Sequence, residues 1–350
     1  MTRTPTGAVD AREQLLSPLA CRASQSRGRV RPEPEDPLRT CFQRDRDRVL
    51  HCKSFRRLAR KTQVFLSPAG DHYRTRITHT LEVSQIARTI SRALGLNEDL
   101  TEAISLAHDL GHTPFGHTGE AVLNRLLPGG FHHVRQSLRV VDLLEKDGKG
   151  LNLTFEVREG IERHSKGKGT ILADQPGRAS STLEAQVVRV ADIIAYLNHD
   201  LDDAIRAQIL DLDDVPPAIL QRVGRRRSER IAFMVGDVLG ATDLEREALI
   251  RLSPIGEEVL DTLRTFLYER VYDNPLVHGD LERAERVLEA LWRHFVDEAP
   301  ETFREVYWPD GVPADEAIER AVADFIASMT DRYALRLHED LLLPRHWPVF

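Results

Sequence analysis

Two runs of apolar residues at the helical period meet at Gly95, and their spacing constrains this chain more than any other stretch. Val83, Ile86, Ala87, Ile90 and Leu94 recur about every 3.6 residues, which predicts a helix over about 78–94. Gly95 stops it, Asn97 reads as an N-cap, and Glu98 and Asp99 fall in the next first turn, where the helix dipole favours anions. Leu100, Ala103, Ile104 and Ala107 form a second stripe that ends at Gly111. So short a link folds the pair back as an antiparallel hairpin. His79 lies 16 residues before Gly95 and His108 lies 13 after it. At about 1.5 Å of rise per residue, both reach the same end of the hairpin within about one turn of each other. Each shares a face with apolar neighbours, so both imidazoles point inward.

A third helix, expected over about 182–203, is apolar on two sides. Leu183, Val187, Val190, Ile194 and Leu197 form one stripe, and Val188, Asp192, Ala195, Tyr196 and His199 cluster on the other. A helix packed on both sides runs through the middle of a domain, so Asp192 is a buried carboxylate in need of a partner. That partner is a metal cation or an arginine such as Arg189 or Arg76. His79, the adjacent pair His108 and Asp109, and Asp192 together supply two imidazoles and two carboxylates. This mixed set suits one divalent metal ion, Mn, Mg, Fe, Co, Ni or Zn, and leaves positions open for water and a substrate oxygen.

Composition narrows the classes. With 350 residues, 41% hydrophobic and 29% charged, the chain can bury a sizeable core in one large or two modest domains. No apolar run approaches the roughly 18–20 residues a membrane span needs. Residues 1–12 lack the apolar centre of a secretory signal, and Cys21, Cys41 and Cys52 read as reduced thiols, so a cytoplasmic protein is expected. The first 63 residues carry 15 Lys and Arg against 7 Asp and Glu, within a total charge of −7. The remaining body is therefore strongly acidic and draws a polyanion only through a metal or local basic groups. The expected class is all-α, with at most one small hairpin near residues 63–77. A poorly ordered basic, Pro-rich arm is expected over 1–37, a helical catalytic core over 38–215, and a helical scaffold over 216–350. A loop is expected at 165–180, and the run Arg225–Arg227 reads as a solvated face.

Several ordered blocks carry more information than the ligand spacing. They are 42-FQRDRDR-48, 55-FRRL-58, 61-KTQVF-65, 74-RTRITHTLEV-83, 107-AHDLGHTPFGHTGE-120 and 191-ADIIAYLNHDLDD-203. Together they resemble the HD-domain metal-dependent phosphohydrolases, and within them the shorter deoxyguanosinetriphosphate triphosphohydrolase-like branch. The resemblance spans about residues 11–203. It implies that His79, His108, Asp109 and Asp192 bind the metal, and that His117 and Glu120 form a catalytic pair with His133 nearby. It also implies that Gln63, Tyr196 and Asp200 surround a deoxyribose, and that Arg76 and His112 stand on the phosphate side. The implied reaction splits a deoxynucleoside triphosphate (dNTP) into deoxynucleoside and inorganic triphosphate, with water attacking the α-phosphorus. Implied partners are dNTPs, an activating nucleotide at a second site, and further copies of the chain in a tetramer or hexamer.

Bland readings stand beside these. Tyr196 fits plain core packing, and Gln63 fits a hairpin side chain. His117 and Glu120 fit a surface pair, and His132 competes with His133 for the active-site register. His112, His117 and His133 together also admit a second metal. Thr113 stands where relatives have proline, and the members with dGTP preference have longer chains, so base preference does not follow. The alternative functions are a regulator that binds nucleotides or single-stranded nucleic acid through the basic segment, and an HD phosphohydrolase acting on another nucleotide.

Overall fold

The computed structural model describes residues 12–63, 74–165, 172 and 179–344, the side chains of 275–278 excepted. The hairpin expected at 63–77 and the loop expected at 165–180 fall largely outside them. The chain is all-α. Among the described residues the extended pairings are two isolated antiparallel bridges, Arg29 with Thr154 and Thr62 with Thr75. No described helix is long and apolar enough to cross a membrane.

Local chemistry sets the helix ends. Helix α1 (Cys41–His51) starts in a capping box, Thr40 accepting from the Gln43 amide while Gln43 reaches back to Thr40. Cys52 breaks it from α2 (Lys53–Arg57). The expected hairpin is α3 (Arg76–Ala93) and α4 (Glu98–Ala107). Gly95 turns the chain at φ +68, and the Asn97 side chain accepts from the amides of Asp99 and Leu100. Then come α5 (Gly116–Leu126), α6 (His133–Arg139) and α7 (Phe155–Arg163). The long α8 (Leu183–Arg206), capped by Thr182, follows. It packs on α3, α4, α7 and two later helices, which makes it the central rod its two apolar sides call for.

Those later helices are α10 (Arg227–Ala241) and α11 (Pro254–Leu267), with the short α9 (Pro217–Val223) before them. Helix α11 widens into a π-turn at Tyr268–Tyr272. Helix α12 (Pro275–Arg293) lies on α5, and α13 (Ile318–Ser328) and α14 (Asp331–Leu342) lie on α12.

The buried apolar side chains gather in two clusters. One runs from Ala20 to Val271, across the expected boundary at 215, around α3, α4 and α8. The other joins Phe115, Val122, Leu123, Leu127 and Phe131 to side chains from Ala284 to Leu337. The C-terminal helices thus share a core with α5, the helix that carries His117 and Glu120.

From Arg12 to Pro37, where composition suggests a poorly ordered arm, the chain is fastened along the core. Ser17 donates to the Gly95 carbonyl at 2.8 Å, the Arg27 amide donates to Glu156 at 2.8 Å, and Arg29 pairs with the buried Asp45. Composition registers the polar side chains of such a segment and misses the internal carboxylates that receive them. Arg225 is exposed, as a solvated face requires, whereas Arg227 reaches Glu82 at 2.8 Å and Asp202 at 3.6 Å.

Candidate metal centre

The end of the α3/α4 hairpin meets the middle of α8, and there the three sequence-distant ligand segments converge. The rings of His79 and His108 are 5.6 Å apart between centroids. His79 Nε2 lies 3.1 Å from Asp192 Oδ1 and 3.8 Å from Asp109 Oδ2. His108 Nε2 lies 3.4 Å from Asp109 Oδ1 and 3.9 Å from Asp192 Oδ1. His79, His108 and Asp109 each bring a donor atom within 4.8 Å of the others.

Second contacts fix which nitrogen faces inward. His108 Nδ1 donates to the Ser105 carbonyl at 2.7 Å, which leaves Nε2 with its lone pair. That atom is buried and has no hydrogen-bond partner. His79 Nδ1 meets His199 Nε2 at 2.7 Å, and His199 Nδ1 is 2.7 Å from Asp200 Oδ1. A chain of close contacts thus runs from His79 through His199 to Asp200, while His79 Nε2 faces Asp192. Tyr272, from the π-turn after α11, donates its hydroxyl to Asp200 Oδ2. Outer partners of this kind set ligand tautomer and basicity in metal sites.

The electrostatics suit a cation. Burial pushes the Asp109 carboxyl up, but His108, His112 and Arg76 outweigh it and hold the group well below the usual range. Burial likewise opposes Asp192, where the His79 hydrogen bond and the charges of both histidines win and bring it to about 2. Asp192, expected to be buried, keeps 20% exposure, but Asp109 and the unpartnered His108 Nε2 face each other inside the protein, an arrangement that positive charge between them stabilises. These residues therefore fit a divalent ion. Arg76 supplies part of that charge, its Nη1 donating to Asp109 Oδ2 at 2.8 Å. Sequence reasoning allowed Arg76 as a partner of Asp192; the structure pairs it with Asp109.

The other expected residues divide. His112 is buried, with Nε2 at 3.2 Å from Asp109 Oδ1, and burial followed by the nearby Arg76 charge lowers its pKa well below the usual value. Its ring stacks on His133 at 4.1 Å. Glu120 holds His133 rather than His117: its Oε1 accepts from the His133 amide at 2.8 Å and sits 2.9 Å from Nδ1. His117 Nδ1 is 3.8 Å from Glu120, and its side chain is 83% exposed. Of the neighbours His132 and His133, the second is the buried one.

Gln63 lies beside Gly116. A Cβ on that glycine, at φ +58, would stand 3.2 Å from the Gln63 carbonyl and 3.4 Å from Arg76 Nη2. Gln63 Oε1 is buried without a partner. The Tyr196 hydroxyl is pushed up by burial and then by the Asp192 charge. Asp200 accepts from the Tyr272 hydroxyl on Oδ2, while its Oδ1, 2.7 Å from His199 Nδ1, is buried without a hydrogen-bond partner.

Sequence reasoning missed four contributors. His199 appeared only as one member of a helix face. His164 stands one turn after Ile161, its Nδ1 donates to the Ile161 carbonyl at 2.7 Å, and its Nε2 faces Asp109 Oδ1 at 3.8 Å. Burial and the nearby His108 push its pKa down to about 3. Tyr272 and Asp331 come from helices that read as scaffold. Asp331 accepts from the Thr62 amide at 2.7 Å, from the Thr62 hydroxyl, and from the Phe115 amide at 3.0 Å. It thereby clamps the left-handed Phe115, φ 60, at the start of α5.

Comparison with known proteins follows this geometry. Residues 76–197, which hold all four expected metal ligands, match the HD domain, and residues 250–340 match the phosphohydrolase-associated domain. A protein of Desulfatibacillum aliphaticivorans is 50% identical over 334 residues, which is 94% of this chain and 95% of that protein. One from Caldanaerobacter subterraneus subsp. tengcongensis is 53% identical over 340 residues, 95% of this chain and 94% of its own. A third, from Clostridium perfringens, is 46% identical and covers 94% and 95%. All three carry the name deoxyguanosinetriphosphate triphosphohydrolase-like protein.

Proposed function

We propose, from the premise that this chain belongs to the HD-domain family of deoxyguanosinetriphosphate triphosphohydrolase-like proteins, that it hydrolyses dNTPs to deoxynucleoside and inorganic triphosphate. The observation that carries the proposal is the orphaned, buried His108 Nε2 facing Asp109 and Asp192 in the matched domain. His79, His108, Asp109 and Asp192 would hold the divalent ion. When bound, it supplies Lewis-acid stabilisation of the charge that builds on the α-phosphate oxygens.

The chain's own groups do the rest. Arg76 and His112 flank Asp109 on the phosphate side, where the arginine balances phosphate charge. His117, exposed beside this cluster, moves a proton between water or the departing 5′-oxygen and solvent. Glu120 fixes the direction of His133. Gln63, with its unpartnered Oε1, and Tyr196 with Asp200 and Tyr272 make the deoxyribose side. On this side, a tyrosine ring disfavours a 2′-hydroxyl.

The proposal extends to a cytoplasmic homo-oligomer that takes an activating nucleotide at a separate site. Single-stranded nucleic-acid binding by the basic segment gains less support. Arg29, Arg39, Arg44, Arg46 and Arg48 each lie against carboxylates of this same chain.

The test is a product assay with chelator-stripped and then metal-loaded protein on the four dNTPs, singly and mixed. Deoxynucleoside and triphosphate in equal amounts, lost in Asp109→Asn, are expected. Intact dNTPs in every mixture and with every metal would defeat the proposal.

A further inference from the structure

Behind the turn that follows Asp109 lies a cavity of about 350 Å³, a volume at the lower end for small-molecule sites. Leu110, Gly111 and Gln136 line it on one side, and Lys53, Arg57 and Lys61, from α2 and the turn after it, line another. The C-terminal segments close it with Tyr307, Trp308, Phe325 and Tyr333. The Phe325 ring lies 5.5 Å from Tyr307 and 6.4 Å from Tyr333, between centroids, so the three make one aromatic wall. The hydroxyls of Tyr307 and Tyr333 have no hydrogen-bond partner among the described residues.

The charges of this cavity do not balance within the chain. The Arg57 guanidinium has no hydrogen bond or ion pair among the described residues. Lys61 is buried, and its ammonium donates to two neutral acceptors, the carbonyls of His112 and Ala327, which leaves one of its three donors unused. The acids on the wall are committed elsewhere. Glu145 accepts from the Lys53 amide at 3.2 Å and from the Ser54 amide and hydroxyl at 2.7 Å each. Asp324 holds Arg139, Arg320 and Gln136. Asp310 stands exposed at the mouth and pairs with Lys53 at 3.3 Å. Burial, then the Arg57 charge, lowers the pKa of Lys61, which is the mark of two cations facing one space. Buried charge without a counter-ion is costly, so an anion placed between the two stabilises both.

Charge and shape together select the ligand. Two cations match a phosphate monoester, which carries about −1.5 to −2 at neutral pH. A guanidinium beside an ammonium also suits its oxygens. A triphosphate brings more charge, and the remaining cation, Lys53, is already paired with Asp147 and Asp310. Aromatic walls stack nucleobases of every kind, and free tyrosine hydroxyls can meet their edges. We propose that this cavity binds a nucleoside monophosphate, with its phosphate on Arg57 and Lys61 and its base against Tyr307, Phe325 and Tyr333. The site is separate from the metal centre and stands whatever substrate that centre takes. Its floor is tightly packed: a Cβ on Gly111 would lie 2.1 Å from the Ser137 amide nitrogen and 2.6 Å from the His133 carbonyl oxygen.

The test is calorimetric titration of the full chain with the common nucleoside monophosphates and with inorganic phosphate. At least one monophosphate should bind once per chain with a Kd below about 1 mM, and inorganic phosphate about tenfold more weakly, because it brings no ring to the aromatic wall. Arg57→Ala should weaken the monophosphate about tenfold or more with an unchanged thermal melt, since no described group rests on that guanidinium. Tyr333→Ala, at the exposed edge of the wall, should weaken it too, and Asp109→Asn should bind it as the wild type does. The site is overturned if no monophosphate binds, or if Arg57→Ala and Tyr333→Ala both keep the wild-type affinity. Loss of binding in Asp109→Asn also overturns it, because the ligand then sits at the metal centre. Displacement of the monophosphate from Asp109→Asn by a more tightly bound dNTP overturns the choice of ligand.

Discussion

Replacing Asp331 tests how the C-terminal helices hold the turn before the proposed catalytic pair. Its carboxylate accepts from two buried backbone amides, Thr62 and Phe115, and from the Thr62 hydroxyl. Hydrogen bonds to a carboxylate contribute about 1.5 kcal/mol each at the low end, so three sum to about 4–5 kcal/mol. Relief of the buried acid offsets about 1 kcal/mol of that, leaving about 3–4 kcal/mol for Asp331→Ala. Asn keeps one acceptor oxygen. If it faces Thr62, only the Phe115 amide is stranded, and the cost falls to about 2 kcal/mol. Phe115 is left-handed and precedes His117 by two residues, so the loss also moves the start of α5, which carries the proposed catalytic pair. Misplacement on the order of 1 Å costs up to about 100-fold in rate, so at least tenfold is expected in kcat for Asp331→Asn. Urea unfolding of the metal-free proteins measures the first effect and steady-state hydrolysis the second. A cost under 1 kcal/mol for Asp331→Ala, or wild-type kcat in Asp331→Asn, would refute the reasoning.

Three further outcomes are expected. Burial, then the Arg57 charge, pushes the Lys61 ammonium down to about 7 from 10.5. The unfolded chain thus binds the extra proton across that window, stability rises with pH from 7 toward 10.5, and it falls again as pH drops. The rise between pH 7 and 9, about 2 kcal/mol, should vanish in Lys61→Met; equal urea midpoint shifts in both proteins would contradict it. Gly116→Ala places a Cβ against the Gln63 carbonyl and Arg76 at φ +58, and should destabilise by about 1–2 kcal/mol while raising KM, as thermal melts and kinetics will show. Glu120→Gln weakens the hold on His133 and should lower kcat about 10- to 100-fold with an altered pH–rate profile, while Glu120→Asp recovers part of the rate.

Much of the centre is legible in the sequence because periodicity reports directly on geometry. The stripes flanking Gly95 place His79 and His108 at one end of a hairpin, and the two-sided pattern of α8 places Asp192 in the middle of the bundle. Contacts between distant segments leave no such trace. Asp331 reads as an ordinary first-turn acid of α14, and nothing local says that it receives Thr62 and Phe115. Tyr272 lies in a π-turn, where the helical period that would locate it is broken. His164 left a faint signal, since Val157, Ile161 and His164 follow one face of α7, yet the type of residue it faces comes from the fold. The N-terminal arginines mislead for the opposite reason: their solvated appearance is local, while Asp45 and Glu156, which receive Arg29 and Arg27, come from α1 and α7.

The most direct measurement is hydrolysis of dNTPs by the metal-loaded chain in water enriched in oxygen-18, with mass analysis of both products. Attack at the α-phosphorus with cleavage of the 5′-oxygen bond places one labelled oxygen in the triphosphate and none in the deoxynucleoside, and Asp109→Asn should produce neither. Label in the deoxynucleoside, or release of diphosphate with a nucleoside monophosphate, would contradict the account.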